Sequence, residues 1–202
     1  MTNLRTVVFF DGQNLYRGAK DAWSSSLAQP GSRYSYPSYD VEKLADYLVK
    51  QVADRVLTEI RFYTGVPDPN RGQMDKFWHG FWSNKLRYLG SKGIYVYKGR
   101  VNQSGHEKGV DVSIATDLVR LTYEQKYEVA ILVTQDWDFG PAVRLVKEIA
   151  RGQGRTLYFE SAFPYNPSGK SKRGVPGTKW VYIDKATYDS CYDPTDYRPF
   201  IP

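Results

Sequence analysis

Val129-Ala130-Ile131-Leu132-Val133-Thr134-Gln135-Asp136 begins as an unbroken apolar run and ends on a carboxylate. Val129 to Val133 has no polar face, so as a strand it must be covered on both sides, as the inner strands of a parallel sheet are. On its C-terminal side the spacing predicts a helix over Phe139 to Ala150, ending near Gly152 and Gly154. On its N-terminal side Val110 to Leu121 predicts another, with Ile114, Ala115, Leu118, Val119 and Leu121 as the apolar set.

The alternation continues outward. Thr156 to Phe159 and Trp180 to Ile183 read as strands beyond the run, and Ile94 to Tyr97 as one before it. Met74, Phe77, Trp78, Phe81, Trp82 and Leu89 recur at helical spacing over 71–90, with Gly90 as the expected stop. Val56 to Tyr63 is a strand closed by Gly65-Val66-Pro67-Asp68-Pro69-Asn70, and Asp40 is placed to cap a helix carrying Val41, Leu44, Ala45, Leu48, Val49 and Val52. Residues 24–38 read as a loop, Gln13 to Lys20 as a short helix, and Arg5 to Phe10 as a buried strand ended by Asp11-Gly12. Strands separated by helices predict an α/β fold with a largely parallel sheet, helices on both faces, and ligands beyond the carboxyl ends of the strands.

A length of 202 residues fits one domain. The single cysteine, Cys191, excludes an internal disulfide and a thiolate zinc site within one chain, in keeping with a reducing cytoplasm. Val7 to Phe10 is too short for a signal-peptide core or a membrane span, so neither export nor membrane attachment is expected. The net charge of +6 is a mild lean, but its distribution is uneven. Ser161 to Ile183 holds no acid, while Lys170, Lys172, Arg173 and Lys179 fall there among Ser, Gly and Pro. Such a segment suits a polyanion, although a plain solvated loop has the same composition.

Asp11 and Asp136 each follow a predicted strand, and Asp111 opens a predicted helix. Taken singly, Asp11, Asp136 and Asp138 are also explained as caps, and Asp111 as a first-turn acid favoured by the helix dipole. Gathered at one sheet edge, their carboxylates would repel one another and raise their own pKa values unless a cation neutralised them. An oxygen-only donor set points to Mg²⁺ or Mn²⁺. Lys108 is placed to contact a phosphate or simply to be solvated, and Asp117 is at most peripheral.

Phe9-Phe10-Asp11-Gly12-Gln13-Asn14, the segment from Lys108 to Asp117, and Val133-Thr134-Gln135-Asp136-Trp137-Asp138-Phe139 together resemble the three signature segments of NYN domains in the PIN-like nuclease superfamily. The resemblance spans roughly residues 5–160. It implies a PIN-like three-layer α/β/α sandwich over 1–160; residues 161–202 lie outside the resemblance and are expected to form a basic loop and C-terminal extension packed on the same domain. It implies a metal-dependent ribonuclease, in which Asp11, Asp111 and Asp136 hold Mg²⁺ or Mn²⁺, Asp138 is a further catalytic acid and Asn14 is a polar neighbour. RNA, single-stranded or structured, is the implied partner, and PIN-like proteins often work as homodimers, though no interface is legible. Many members carry Ser-Gly-Asp-Ser-Asp-Phe in the third segment. Here Trp137 replaces the small residue, either narrowing the site or offering a stacking surface.

Two other readings fit parts of the sequence. A nucleic-acid-binding module with an inactive nuclease fold would rely on the basic loop at 164–179, but a pure binder has no reason to keep repelling acids together. A haloacid-dehalogenase-type phosphatase is suggested by Phe10-Asp11-Gly12, yet position 13 is Gln where that family needs a second Asp. Dinucleotide and P-loop glycine motifs and the Gly-x-Ser-x-Gly elbow are absent.

Overall fold

The structure, a computed structural model, describes residues 3–23, 34–169 and 173–200. Its sheet has the order β4-β3-β2-β1-β5-β6-β7. The strands are β1 Leu4–Asp11, β2 Arg55–Val66, β3 Tyr95–Val101, β4 Glu107–Lys108, β5 Val129–Val133, β6 Tyr158–Pro164 and β7 Lys179–Ile183. All pairings are parallel except that of β3 with β4. The helices are α1 Gly12–Trp23, α2 Val41–Lys50, α3 Gln73–Ser91, α4 Val110–Tyr123, α5 Gly140–Gly152 and α6 Lys185–Ser190.

Side chains that alternate along β1 and β5 divide the core into two halves, as the period of a strand requires. Val8, Phe10, Val129, Ile131 and Val133 face Leu15, Leu44, Leu48, Phe81, Trp82 and Tyr188, on α1, α2, α3 and α6. Val7, Phe9, Ala130 and Leu132 face Ile114, Leu118, Leu121, Val143, Val146 and Ala150, on α4 and α5. The result is an α/β/α sandwich. Each fully buried Val, Leu or Phe contributes about 1.5–3 kcal/mol relative to an exposed one, so these facing layers hold the sheet edge rigid.

The chain leaves β1 for β2 and β3 on one side, then returns through α4 to β5 on the other. A crevice therefore opens between the carboxyl ends of β1 and β5, the switch point at which ligands bind in open α/β sheets.

Several local expectations shift. β2 runs on through Gly65 to Val66, because Gly65 pairs with Gly99 of β3 and continues the ladder. α3 passes Gly90, and the left-handed residue after it is Gly93, with φ +80°. β6 starts two residues later than Thr156 and extends to Pro164. Neither the two-residue β4 nor α6 was expected. β7 pairs in parallel with β6, so the sheet continues beyond residue 160. Most of the expected loop at 24–38, together with Lys170 and Lys172, lies outside the described residues. Among the described residues, no helix is long and apolar enough to cross a membrane.

Candidate active site

Asp11 ends β1 and caps α1: its Oδ1 accepts the Asn14 amide N–H at 3.0 Å. Next door, Phe10 lies opposite Val133 in the β1–β5 ladder, which brings Thr134 alongside. The Thr134 hydroxyl lies 3.4 Å from Asp11 Oδ2. Asn14 ties the same two chain ends together, its Oδ1 accepting the Gln135 amide at 3.0 Å. Asp136 caps the single 3₁₀ turn Trp137–Phe139, with its Oδ1 accepting the Asp138 amide at 2.9 Å. Asp111 stands in the first turn of α4, where the helix dipole favours a negative charge. That turn is set up by Gly109, whose φ of +86° a residue with a side chain would adopt only under strain.

Capping and clustering are thus the same geometry. Each cap fixes one carboxylate oxygen against backbone and so fixes the plane of the group. Asp11, Asp111 and Asp136 line one open cavity of about 480 Å³, together with Asn14, Arg17, Asp21, His106, Glu107 and Gln135.

Glu107 is the acid that the sequence did not reveal. It sits on β4, and its Oε1 accepts the Gly65 amide N–H. A Cβ at position 65 would lie 2.6 Å from that oxygen, so glycine makes room for the carboxylate. Arg17 on α1 was missed as well. Its guanidinium donates to Gln13 Oε1 at 2.8 Å, and its charge lowers the pKa of Glu107.

The electrostatics are one-sided. Burial, then Glu107, Asp111 and Asp136, push the Asp11 carboxyl up to about 8, against the cap from Asn14. Burial likewise lifts Glu107 to about 7, with Asp111 adding to it while the Gly65 amide and Arg17 oppose. Asp111 opens to solvent at the helix start. Its carboxyl is raised by partial loss of water, then by Asp136 and Asp138. Without a cation, protons neutralise part of this site near neutral pH.

The remaining expected residues take up various positions. Asp138 is exposed and outside the cavity lining, though its charge reaches Asp111. Lys108 is exposed on β4 and does not line the cavity. Trp137 is 51% exposed, and the Arg173 guanidinium lies 5.9 Å from its ring centroid. Asp117 belongs to a separate, structural cluster: Arg61 binds its Oδ2 at 2.9 Å, Tyr63 at 2.7 Å, and Arg120 binds its Oδ1 at 3.0 Å.

Residues 5–159 match the NYN domain family. This chain belongs to it. The NYN fold is PIN-like, and NYN domains are generally nucleases and typically depend on divalent metals. The chain is similar to a solved protein of unknown function from Vibrio parahaemolyticus at 18% identity, covering 91% of this chain and 94% of that one with a TM-score of 0.53. That likeness concerns the fold. No curated protein matches the chain.

The NYN chain's donor set fits a hard cation in chemistry, since the cavity acids offer only oxygen. It does not form a closed chelate: among the described residues, no three His, Cys, Asp or Glu side chains stand close enough to hold an ion by themselves. A Mg²⁺ ion commonly keeps several waters and is bound through one or two carboxylates plus substrate phosphate, so a wide ring of acids fits it better than a tight protein cage would.

Proposed function

We propose that the protein is a metal-dependent ribonuclease that hydrolyses phosphodiester bonds within single-stranded or structured RNA. One observation carries the reading: five acids, Asp11, Asp21, Glu107, Asp111 and Asp136, line one cavity at the switch point, and Asp11 and Glu107 are pushed towards neutral pKa values. A structural cluster would be expected to bring its own cations. Here the lining sets one guanidinium, Arg17, against five acids, an imbalance that suits a divalent ion arriving from outside.

Mg²⁺ or Mn²⁺, when bound, lowers the pKa of a coordinated water and polarises a phosphoryl oxygen. Asp11, Asp111 and Asp136 are the residues to hold it. Asn14 keeps the ends of β1 and β5 in register, so that Asp11 and Asp136 face the same ligand. Glu107 lines the same cavity as the metal-site acids and suits a general base. With Oε1 engaged by the Gly65 amide, Oε2 is the atom to accept a proton from the attacking water. Arg17 offers guanidinium N–H groups to the phosphate oxygens, and its planar fork can bind two of them. Arg173 and the sequence-predicted Lys170 and Lys172 are the basic residues to meet further phosphates of the strand, and Asp138 and Lys108 are further candidates to meet it.

A binding module with an inactive nuclease fold is favoured by one fact, the lack of a closed three-residue ligand group among the described residues. Incubation of the protein with labelled single-stranded RNA and Mn²⁺, alongside Asp11→Asn, Glu107→Gln and Asp136→Asn, separates the readings. Cleavage by the unchanged protein that each substitution abolishes is the expected result. RNA binding with no cleavage in Mg²⁺ or Mn²⁺ would favour the module.

A further inference from the structure

Trp137 stands between two acids, Asp136 on the cavity wall and Asp138 outside it. It belongs to neither half of the hydrophobic core, and its ring is 51% exposed. The 3₁₀ turn fixes its backbone, since Asp136 Oδ1 accepts the Asp138 amide and Phe139 behind it is buried. Arg173 reaches the same turn from the segment that joins β6 to β7. The Gln135 side-chain amide lies 3.4 Å from the Arg173 carbonyl, and two residues on the Val175 amide donates to Ser161 Oγ at 3.1 Å. The guanidinium lies over the Trp137 ring at 5.9 Å from its centroid, the outer limit of a cation–π contact, and the side chain stays 51% exposed beside it.

An indole held on a rigid turn, open to solvent, flanked by a guanidinium and next to an acid cavity has the parts of a base-stacking platform. Every nucleobase has a π-face, so such a ring takes any base, while the cation answers the phosphate that follows it. We propose that a base of single-stranded RNA stacks on Trp137, with its adjoining phosphate at Arg173, so that the neighbouring phosphodiester enters the cavity lined by Asp11 and Asp136. The proposal rests on the ribonuclease reading and names the group that registers the strand. Trp137 is then a positioning residue. Stacking strengthens with ring area, so the platform favours a purine at that position.

Fluorescence anisotropy in EDTA, where no cleavage occurs, isolates binding. The probe is a labelled single-stranded RNA, intact or with one abasic unit walked along it. For the unchanged protein, one abasic position weakens binding by about tenfold. Trp137→Ala weakens binding of the intact strand by a similar factor and no longer distinguishes it from the abasic strand, while Trp137→Phe retains most of the discrimination. Circular dichroism checks that each variant is folded. Equal binding by Trp137→Ala and the unchanged protein, or the same abasic penalty in both, would overturn the platform. If the unchanged protein binds with the abasic signature yet cleaves nothing with Mn²⁺, the platform stands and the nuclease reading falls. If it cleaves while Trp137→Ala binds as tightly, only the platform falls. If it binds no RNA, both fall.

Discussion

Asp111 and Asp117 share helix α4, yet their carboxyl groups are shifted in opposite directions. Burial works to raise Asp117 too, but hydrogen bonds from Tyr63 and Arg120 and the charge of Arg61 outweigh it and hold its pKa low. Asp111 is raised by partial loss of water and then by Asp136 and Asp138, charges of its own sign, with no cation to oppose them. The same contrast recurs elsewhere in the molecule: buried Arg55 grips Glu160 through two bonds of 2.8 and 2.9 Å, and buried Lys85 reaches Asp193 Oδ2 at 3.6 Å. In each of these structural clusters a buried acid is matched by a cation. The cavity at the β1–β5 switch point is where acids accumulate against their own repulsion, which marks it as a place for a ligand.

That contrast can be broken at either pole. At the cavity, Asp11→Asn keeps a side-chain oxygen to accept the Asn14 amide, so the helix cap survives while the charge is lost. The expected outcome is a fall of about 1,000-fold in Mn²⁺-dependent RNA cleavage with an unchanged circular dichroism spectrum. At the structural pole, Arg61→Met removes one of three partners of Asp117, leaving Tyr63 and Arg120, and should cost about 2 kcal/mol in urea unfolding, with cleavage per folded molecule preserved. Reversal of the two phenotypes would mean the roles of the clusters were assigned the wrong way round.

A smaller effect sharpens the electrostatic claim. Asp11 has a folded-state pKa raised from 3.8 to about 8, so the ion-free fold holds a proton more tightly than the unfolded chain does. Its stabilisation is fully present below pH 3.8 and is lost as pH rises through about 8. A cation must displace that proton. Apparent Mn²⁺ affinity, measured by titration calorimetry, should therefore climb up to about tenfold per pH unit for each proton displaced below pH 7, and level off above about 8. A flat profile would show that the ion binds elsewhere. The smallest expected change comes from replacing Lys170, Lys172 and Arg173 with Ala, which should lower the slope of log affinity against log salt by roughly 2. An unchanged slope would make that segment a bystander.

Much of this arrangement was legible in the chain because it rests on local rules. Val129 to Val133 could only be a doubly covered strand, and Asp11 and Asp136 follow strands that the sheet places side by side. Glu107 was illegible for a physical reason. Its two-residue strand has no periodicity, and its place in the cavity depends on an amide contributed by Gly65 from another strand. Arg17 reads as one more solvated helix residue until the fold turns α1 towards the acids. Gly93 rather than Gly90 follows α3 because the helix runs on for a further residue, Ser91, and C-caps at Lys92. Asp117 reads as peripheral from its place on the helix, and the structure reveals the Arg61 and Tyr63 partners that retain it.

The central claim is that the acids at the switch point gather to receive a cation. An anomalous difference map from crystals soaked in Mn²⁺ tests it most directly. Density among Asp11, Glu107, Asp111 and Asp136, lost in Asp11→Asn, is the expected result; an ordered cavity without density, or Mn²⁺ bound only elsewhere, would contradict it.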